Sequence, residues 1–112
     1  MSNTKRNIFV TDKGLKILGE FVRSYRQSLP INLKDLKYKI IIDTGYTECS
    51  VSTLSKFEIG QMRLNPDLLS AISIAMPIPH PSEKRTYSDW ELQEIARENL
   101  DPKTGLQPIH TE

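Results

Sequence analysis

Cysteine is nearly missing from this chain of 112 residues: Cys49 stands alone, so no internal disulfide can brace the fold. A lone thiol suits a reducing compartment. Long apolar runs are missing too. None exceeds three residues, as at Ile40-Ile41-Ile42, and a transmembrane helix needs about 20. The polar stretch Met1 to Asn7 has no signal-peptide core, so a cytoplasmic protein is expected. With 5 glycines, no glycine-rich phosphate loop is present. The 2 histidines, His80 and His110, fall in proline-containing loops and are expected to be exposed. No His/Cys/Asp/Glu group has metal-ligand spacing, and Cys49 has no neighbouring base to activate it. Asp43 and Glu48 are isolated. The expectation is therefore no enzyme, no metal, no cofactor and no small-molecule ligand.

Strong charge of one sign is also lacking, since the net charge is +1. The average hides an asymmetry. Residues 1–82 carry 11 basic and 7 acidic side chains, and residues 83–112 carry 4 and 7. A mildly basic body with an acidic end is compatible with nucleic acid but does not argue for it alone.

What the chain does have is a series of helix caps. Thr11, followed by Asp12, opens a first helix over 12–28, with Leu15, Leu18, Val22 and Tyr25 at helical spacing and Pro30 as its stop. Asn32 with Asp35 three residues on makes a capping-box pattern for a second helix, which buries Leu33, Leu36 and Ile40 and stops at Gly45. The β-forming stretch Tyr38 to Ile42 would also suit a strand, but the caps and the period favour helix. Ser50 caps a short third helix that turns Leu54 and Phe57 inward and ends at Gly60. Asn65 and Pro66 open a fourth, with Leu68, Leu69, Ile72, Ala75 and Met76 on its apolar face. Pro77, Pro79 and Pro81 read as an extended linker. Ser88 and Glu91 form a capping box for a fifth helix over 88–100, with Leu92, Ile95, Ala96 and Leu100 on one face. Residues 101–112 read as a loose tail.

The expected fold is all-α, four to five helices, divided into an N-terminal arm (1–10), a helical domain (11–77), and a linker, C-terminal helix and tail (78–112). The arm holds Lys5 and Arg6. It reads either as a frayed end or as a basic arm reaching into a DNA groove.

Ser52-Thr53-Leu54-Ser55-Lys56-Phe57-Glu58-Ile59-Gly60, the following Pro66, Leu68, Leu69, Ile72 and Ala75, and the spacing of Arg23 and Arg26 in the first helix resemble the lambda-repressor-like (Xre-type) helix-turn-helix family. The resemblance covers about residues 14–76. It departs from the family at Gly45-Tyr46-Thr47-Glu48-Cys49, which with a longer second helix lengthens a turn that is about three or four residues in the general motif.

The resemblance implies a sequence-specific DNA-binding regulator, a repressor, whose third helix enters the major groove of double-stranded DNA. Val51, Ser52, Ser55 and Lys56 would then face base edges. Valine can pack on a thymine methyl, serine can donate or accept, and lysine can donate to guanine O6 and N7. Asn32, Thr53, Gln61 and Arg63 would meet the backbone phosphates. Glu58, flanked by Phe57 and Ile59, would pair with Arg26 as a structural ion pair. A homodimer is implied, with the C-terminal helix (Trp90, Leu92, Ile95, Leu100) either forming its interface or packing on its own domain. Trp90, without flanking basic residues, reads as an edge of the core rather than a platform for a base. A different class of function, a protein-interaction module such as an antitoxin or adaptor, would use the same helices and leave the third one incidental.

Overall fold

The computed structural model describes residues 6–107 and is all-α there: α1 (Asp12–Ser28), α2 (Leu33–Thr44), α3 (Val51–Glu58), α4 (Pro66–Ala75) and α5 (Asp89–Ala96). Each start is made by a side chain that accepts from an orphan amide of the first turn. Thr11 accepts from Gly14 N, Ser50 from Thr53 N, and Asn65 from Asp67 N and Leu68 N. Asn32 with Asp35, and Ser88 with Glu91, close full capping boxes. Gly45 (φ 73°) ends α2 in the left-handed conformation that glycine adopts without steric cost.

The helices pack as a closed ring, in the order α1, α3, α2, α4, α5 and back to α1. Every helix can therefore bury one stripe towards a common centre. Leu18, Val22, Leu36, Ile40, Leu54, Leu69, Ile72, Leu92 and Ile95 fill it with no exposed surface. Each such side chain contributes roughly 1.5–3 kcal/mol of hydrophobic stabilisation.

Two glycines of α1 make the close crossings. A β-carbon on Gly14 would sit 1.9 Å from the carbonyl oxygen of Ala96 in α5. One on Gly19 would sit 2.4 Å from the Glu58 carbonyl oxygen and 2.5 Å from that of Phe57, in the last turn of α3. Any side chain at either position would drive the helices apart.

The C-terminal third differs from the sequence expectation in four ways. First, the stretch 77–87 doubles back instead of extending. His80 N donates to Arg85 O and Tyr87 N to Ile78 O, both at 2.8 Å. The prolines occupy alternate positions, so the amide of His80 and the carbonyl of Ile78 between them remain free to pair. Ile78 and Tyr87 thereby join the core.

Second, His80 is buried, not exposed. Its Nδ1 accepts from Ser82 N and Glu83 N, each at 3.1 Å, and the ring lies 4.9 Å from that of Tyr87. His110 lies outside the described residues.

Third, α5 ends at Ala96 instead of 100. The Ala96 carbonyl is taken by Thr11 N (3.1 Å), Glu98 turns to φ 61°, and Asn99 N returns to Glu94 O. The crossing at Gly14 leaves no room for another helical turn.

Fourth, residues 101–106 are a closed turn rather than a loose tail. Asp101 N donates to Leu106 O, and Tyr87 Oη donates to Pro102 O.

The start of the chain is tied down as well. Arg6 pairs with Glu94 and lies over the Trp90 ring, 5.7 Å from its centroid. Asn7 exchanges two 2.8 Å hydrogen bonds with Asn99 and donates a third to Arg97 O. Arg6 is thus engaged with α5, although its side chain remains 53% exposed; Lys5 lies outside the described residues. Among the described residues, no helix is long and apolar enough to cross a membrane.

Candidate nucleic-acid interface

The last turn of α3 is anchored on three sides. Glu58 is buried, and its carboxylate receives Arg26 Nε at 2.8 Å and Arg26 Nη2 at 2.9 Å. The third arm of the guanidinium, Nη1, donates to Ile31 O at 2.8 Å. One arginine thereby joins the end of α1, the entry to α2 and the end of α3. The Glu58 hydrogen bonds raise the Arg26 pKa above its ordinary value, against the opposing pull of burial. Gly19 lets the same turn of α3 lie directly on α1, and Gly60 (φ 71°) folds the chain away over Lys16.

The outer face of α3 is left open. Val51, Ser52 and Lys56 are exposed and Ser55 is half-buried, while Leu54 and Phe57 point into the core. These four side chains occupy one continuous outer surface of an eight-residue helix, about 12 Å long at 1.5 Å per residue. The 3.6-residue period accounts for the division: 54, 57 and 58 share the inner face, and 51, 52, 53, 55 and 56 are what remains, with Thr53 half-buried beside the Ser50 cap.

Three of the four backbone-contact candidates, Asn32, Gln61 and Arg63, group at the last turn of α3, and Thr53 lies in its first turn. Asn32 follows Ile31, which the Arg26 guanidinium holds beside Glu58. Gln61 N donates to Lys56 O as the chain leaves α3, and Arg63 is exposed two residues on, with no ion pair among the described residues. Two of these candidates are partly occupied. The Asn32 side-chain oxygen accepts from Asp35 N at 2.8 Å, and the Thr53 hydroxyl lies 3.0 Å from Ser50 Oγ. Asn32, Gln61 and Arg63 therefore flank one end of α3, whereas Val51 and Ser52 mark the other.

The long connection from α2 to α3 is held in place. Tyr46 Oη accepts from Asn65 Nδ2 (3.3 Å), tying the connection to the N-cap of α4, and Cys49 is buried just before the Ser50 cap. Burial pushes the Cys49 thiol pKa up, with the charge of Lys37 opposing it. The Lys37 ammonium lies 5.8 Å from the centroid of the Tyr38 ring. Lys37 is a basic group at this surface that motif reading passed over. Its signal was the three-residue spacing of Lys34, exposed, and Lys37, half-buried, on one side of α2.

A second charged cluster surrounds α5, away from α3. Arg85 donates to both oxygens of Glu91 at 2.5 and 2.8 Å, and His80 Nε2 lies 3.8 Å from Glu91 Oε2. The Arg85 hydrogen bonds, helped by Ser88, hold the Glu91 carboxyl down at about 2 against the opposing effect of burial. Burial first, and then the charge of Glu91, lift Tyr87 to about 12. The role of these contacts is structural: they lock the 77–87 turn onto the start of α5.

No protein-family model, curated protein or solved structure matches this chain.

Proposed function

We propose that the chain is a sequence-specific DNA-binding transcriptional regulator, a repressor, in which α2 and α3 form a helix-turn-helix of the lambda-repressor-like type. In this reading α3 enters the major groove N-terminus first, and two copies of the chain bind a near-palindromic site. One observation carries the reading: α3 is clamped at its last turn by the buried Arg26–Glu58 pair, while its outer face carries the exposed Val51, Ser52 and Lys56 with the half-buried Ser55 between them. A reading helix must be rigid where it joins its domain and bare where it meets bases. In this reading Arg63, Gln61 and Lys37 supply backbone contacts that add affinity without sequence preference. Their small number agrees with weak binding by one copy and useful binding by two. The reading gives Cys49 no catalytic role, since burial pushes its thiol up, away from the thiolate a nucleophile needs.

The test is a mobility-shift titration on the DNA upstream of the protein's own coding sequence, against random DNA. Wild type is expected to prefer the former, and Lys56→Ala with Ser52→Ala to lose that preference without losing helicity. Equal affinity for both DNAs refutes the proposal.

A second reading, a protein-interaction module, is favoured by one feature. The net charge is only +1, and Tyr38 and Ile42, one turn apart on α2, are both exposed, which gives that helix an apolar pair on one outer face. On that reading the Lys56 and Ser52 substitutions leave biological activity intact.

A further inference from the structure

The apolar stripe of α5 is consumed within its own chain, since Leu92 and Ile95 have no exposed surface. A dimer must therefore use another face. Ile8 and Phe9 are each 76% exposed, side by side, in a segment pinned at both ends. On one side Asn7 is bonded to Asn99 and Arg97; on the other Thr11 is bonded to Glu98 and Ala96. Two large apolar side chains are thus held out to water on a segment that is not free to fold them away.

Beside them runs a groove in two lobes, about 560 and 500 Å³, between α1 and the 101–106 turn. Asn7, the residue before Ile8, borders the first lobe, so the projecting segment starts at the groove's edge. Ile17, Phe21, Leu100 and Pro102 supply its apolar surface. Its rim carries Lys16 and Lys103 together with Glu20 and Asp101, none of which has an ion-pair partner among the described residues.

We infer that this face is a two-fold interface between copies of this chain, with Ile8 and Phe9 of each copy seated in the α1 groove of the other. A two-fold contact requires one surface to carry both the projection and its receptor. It also sets this rim against itself, so that two cations of one copy can meet two anions of the other. An anionic lipid surface or a nucleic acid would instead call for a rim of one sign. The inference rests on the proposed function for what the dimer serves, namely placing two α3 helices on one site.

The experiment is sedimentation velocity on the full chain over a concentration series. Circular dichroism checks the fold of each variant, and DNA binding is measured separately. Wild type is expected to reach twice 12.8 kDa. Ile8→Glu with Phe9→Glu should raise the dimer dissociation constant ~100-fold, as for loss of central anchors. Lys103→Glu should raise it ~10-fold by setting like charges together. Ile74→Glu, at an exposed position of α4, should leave it unchanged. A wild type that stays monomeric overturns the inference, as does a dimer indifferent to both sets of substitutions. So does a monomer that floats with phosphatidylglycerol vesicles through Ile8 and Phe9. A wild-type dimer that binds no DNA sequence selectively contradicts the proposed function and leaves the interface standing. A selective binder whose dimer ignores these substitutions does the reverse.

Discussion

Removing Glu58 tests how α3 is held. Glu58→Ala strips two of the three hydrogen bonds from the Arg26 guanidinium and leaves only the Ile31 carbonyl. Arg26 is 8% exposed, so its charge cannot recover water without displacing the Ile31 turn. Hydrogen bonds to a charged group contribute ~1.5–3 kcal/mol each, and orphaning one member of a buried pair costs about 3–5 kcal/mol. We expect a loss of ~3 kcal/mol, a large part of the 5–15 kcal/mol that holds a typical domain together. Arg26→Met should cost about as much, because it strands the carboxylate. The double variant Arg26→Met/Glu58→Met should be far milder than the sum, since buried pairs are often replaceable by apolar side chains. Urea unfolding followed by far-ultraviolet circular dichroism measures all four corners of the cycle. The reasoning fails if Glu58→Ala costs less than ~1 kcal/mol, the value of an exposed pair, or if the two single losses simply add.

The acid limb of stability offers another test. Glu91 sits at about 2 in the fold against an ordinary 4.5, so its contribution is complete above pH 4.5 and is lost as pH falls towards 2. Glu91→Gln should therefore flatten the stability profile across that window and lower the plateau above it, as read by thermal unfolding at stepped pH. Gly19→Ala should destabilise by ~1–3 kcal/mol or more, because its β-carbon would lie 2.5 Å or less from two α3 carbonyl oxygens. Gly45→Ala meets nothing within 4 Å and should cost only the left-handed backbone, ~1–2 kcal/mol; similar costs in chemical denaturation with a matched loss of α3 packing would contradict the contrast. For DNA, Arg63→Ala should weaken binding on all sequences and reduce the salt slope by ~1. Lys56→Ala should weaken only the preferred sequence, by about 1–3 kcal/mol, measured by fluorescence anisotropy.

The helix starts were legible because caps are local. Thr11, Asn32 with Asp35, Ser50, Asn65 and Ser88 with Glu91 each satisfy amides two or three residues away, and the structure places a helix after every one. Gly45 and Gly60 were readable for the same reason, since both turn at positive φ. What could not be read depends on residues far apart in the chain. Gly14 and Gly19 look like ordinary helix interior until α5 and α3 lie on them. The end of α5 is set by Thr11, more than 80 positions earlier, through the Ala96 carbonyl. His80 reads as a loop histidine among prolines, but the hydrogen bonds of its neighbours fold it inward. The inward turn of Leu54 and Phe57 was legible in α3 itself, whereas the choice of Val51, Ser52, Ser55 and Lys56 as its reading face came with the family resemblance. Pairing of Arg26 with Glu58 came only with the family resemblance, because nothing local joins residues 32 positions apart.

Selection of bound sequences from a random DNA pool by the full chain tests the central claim most directly. The account predicts an enriched motif of two inverted half-sites about 10–10.5 base pairs apart, altered within the half-site by Lys56→Ala and left unchanged by Arg63→Ala. A pool that shows no enrichment, or a motif indifferent to Val51, Ser52, Ser55 and Lys56, would contradict it.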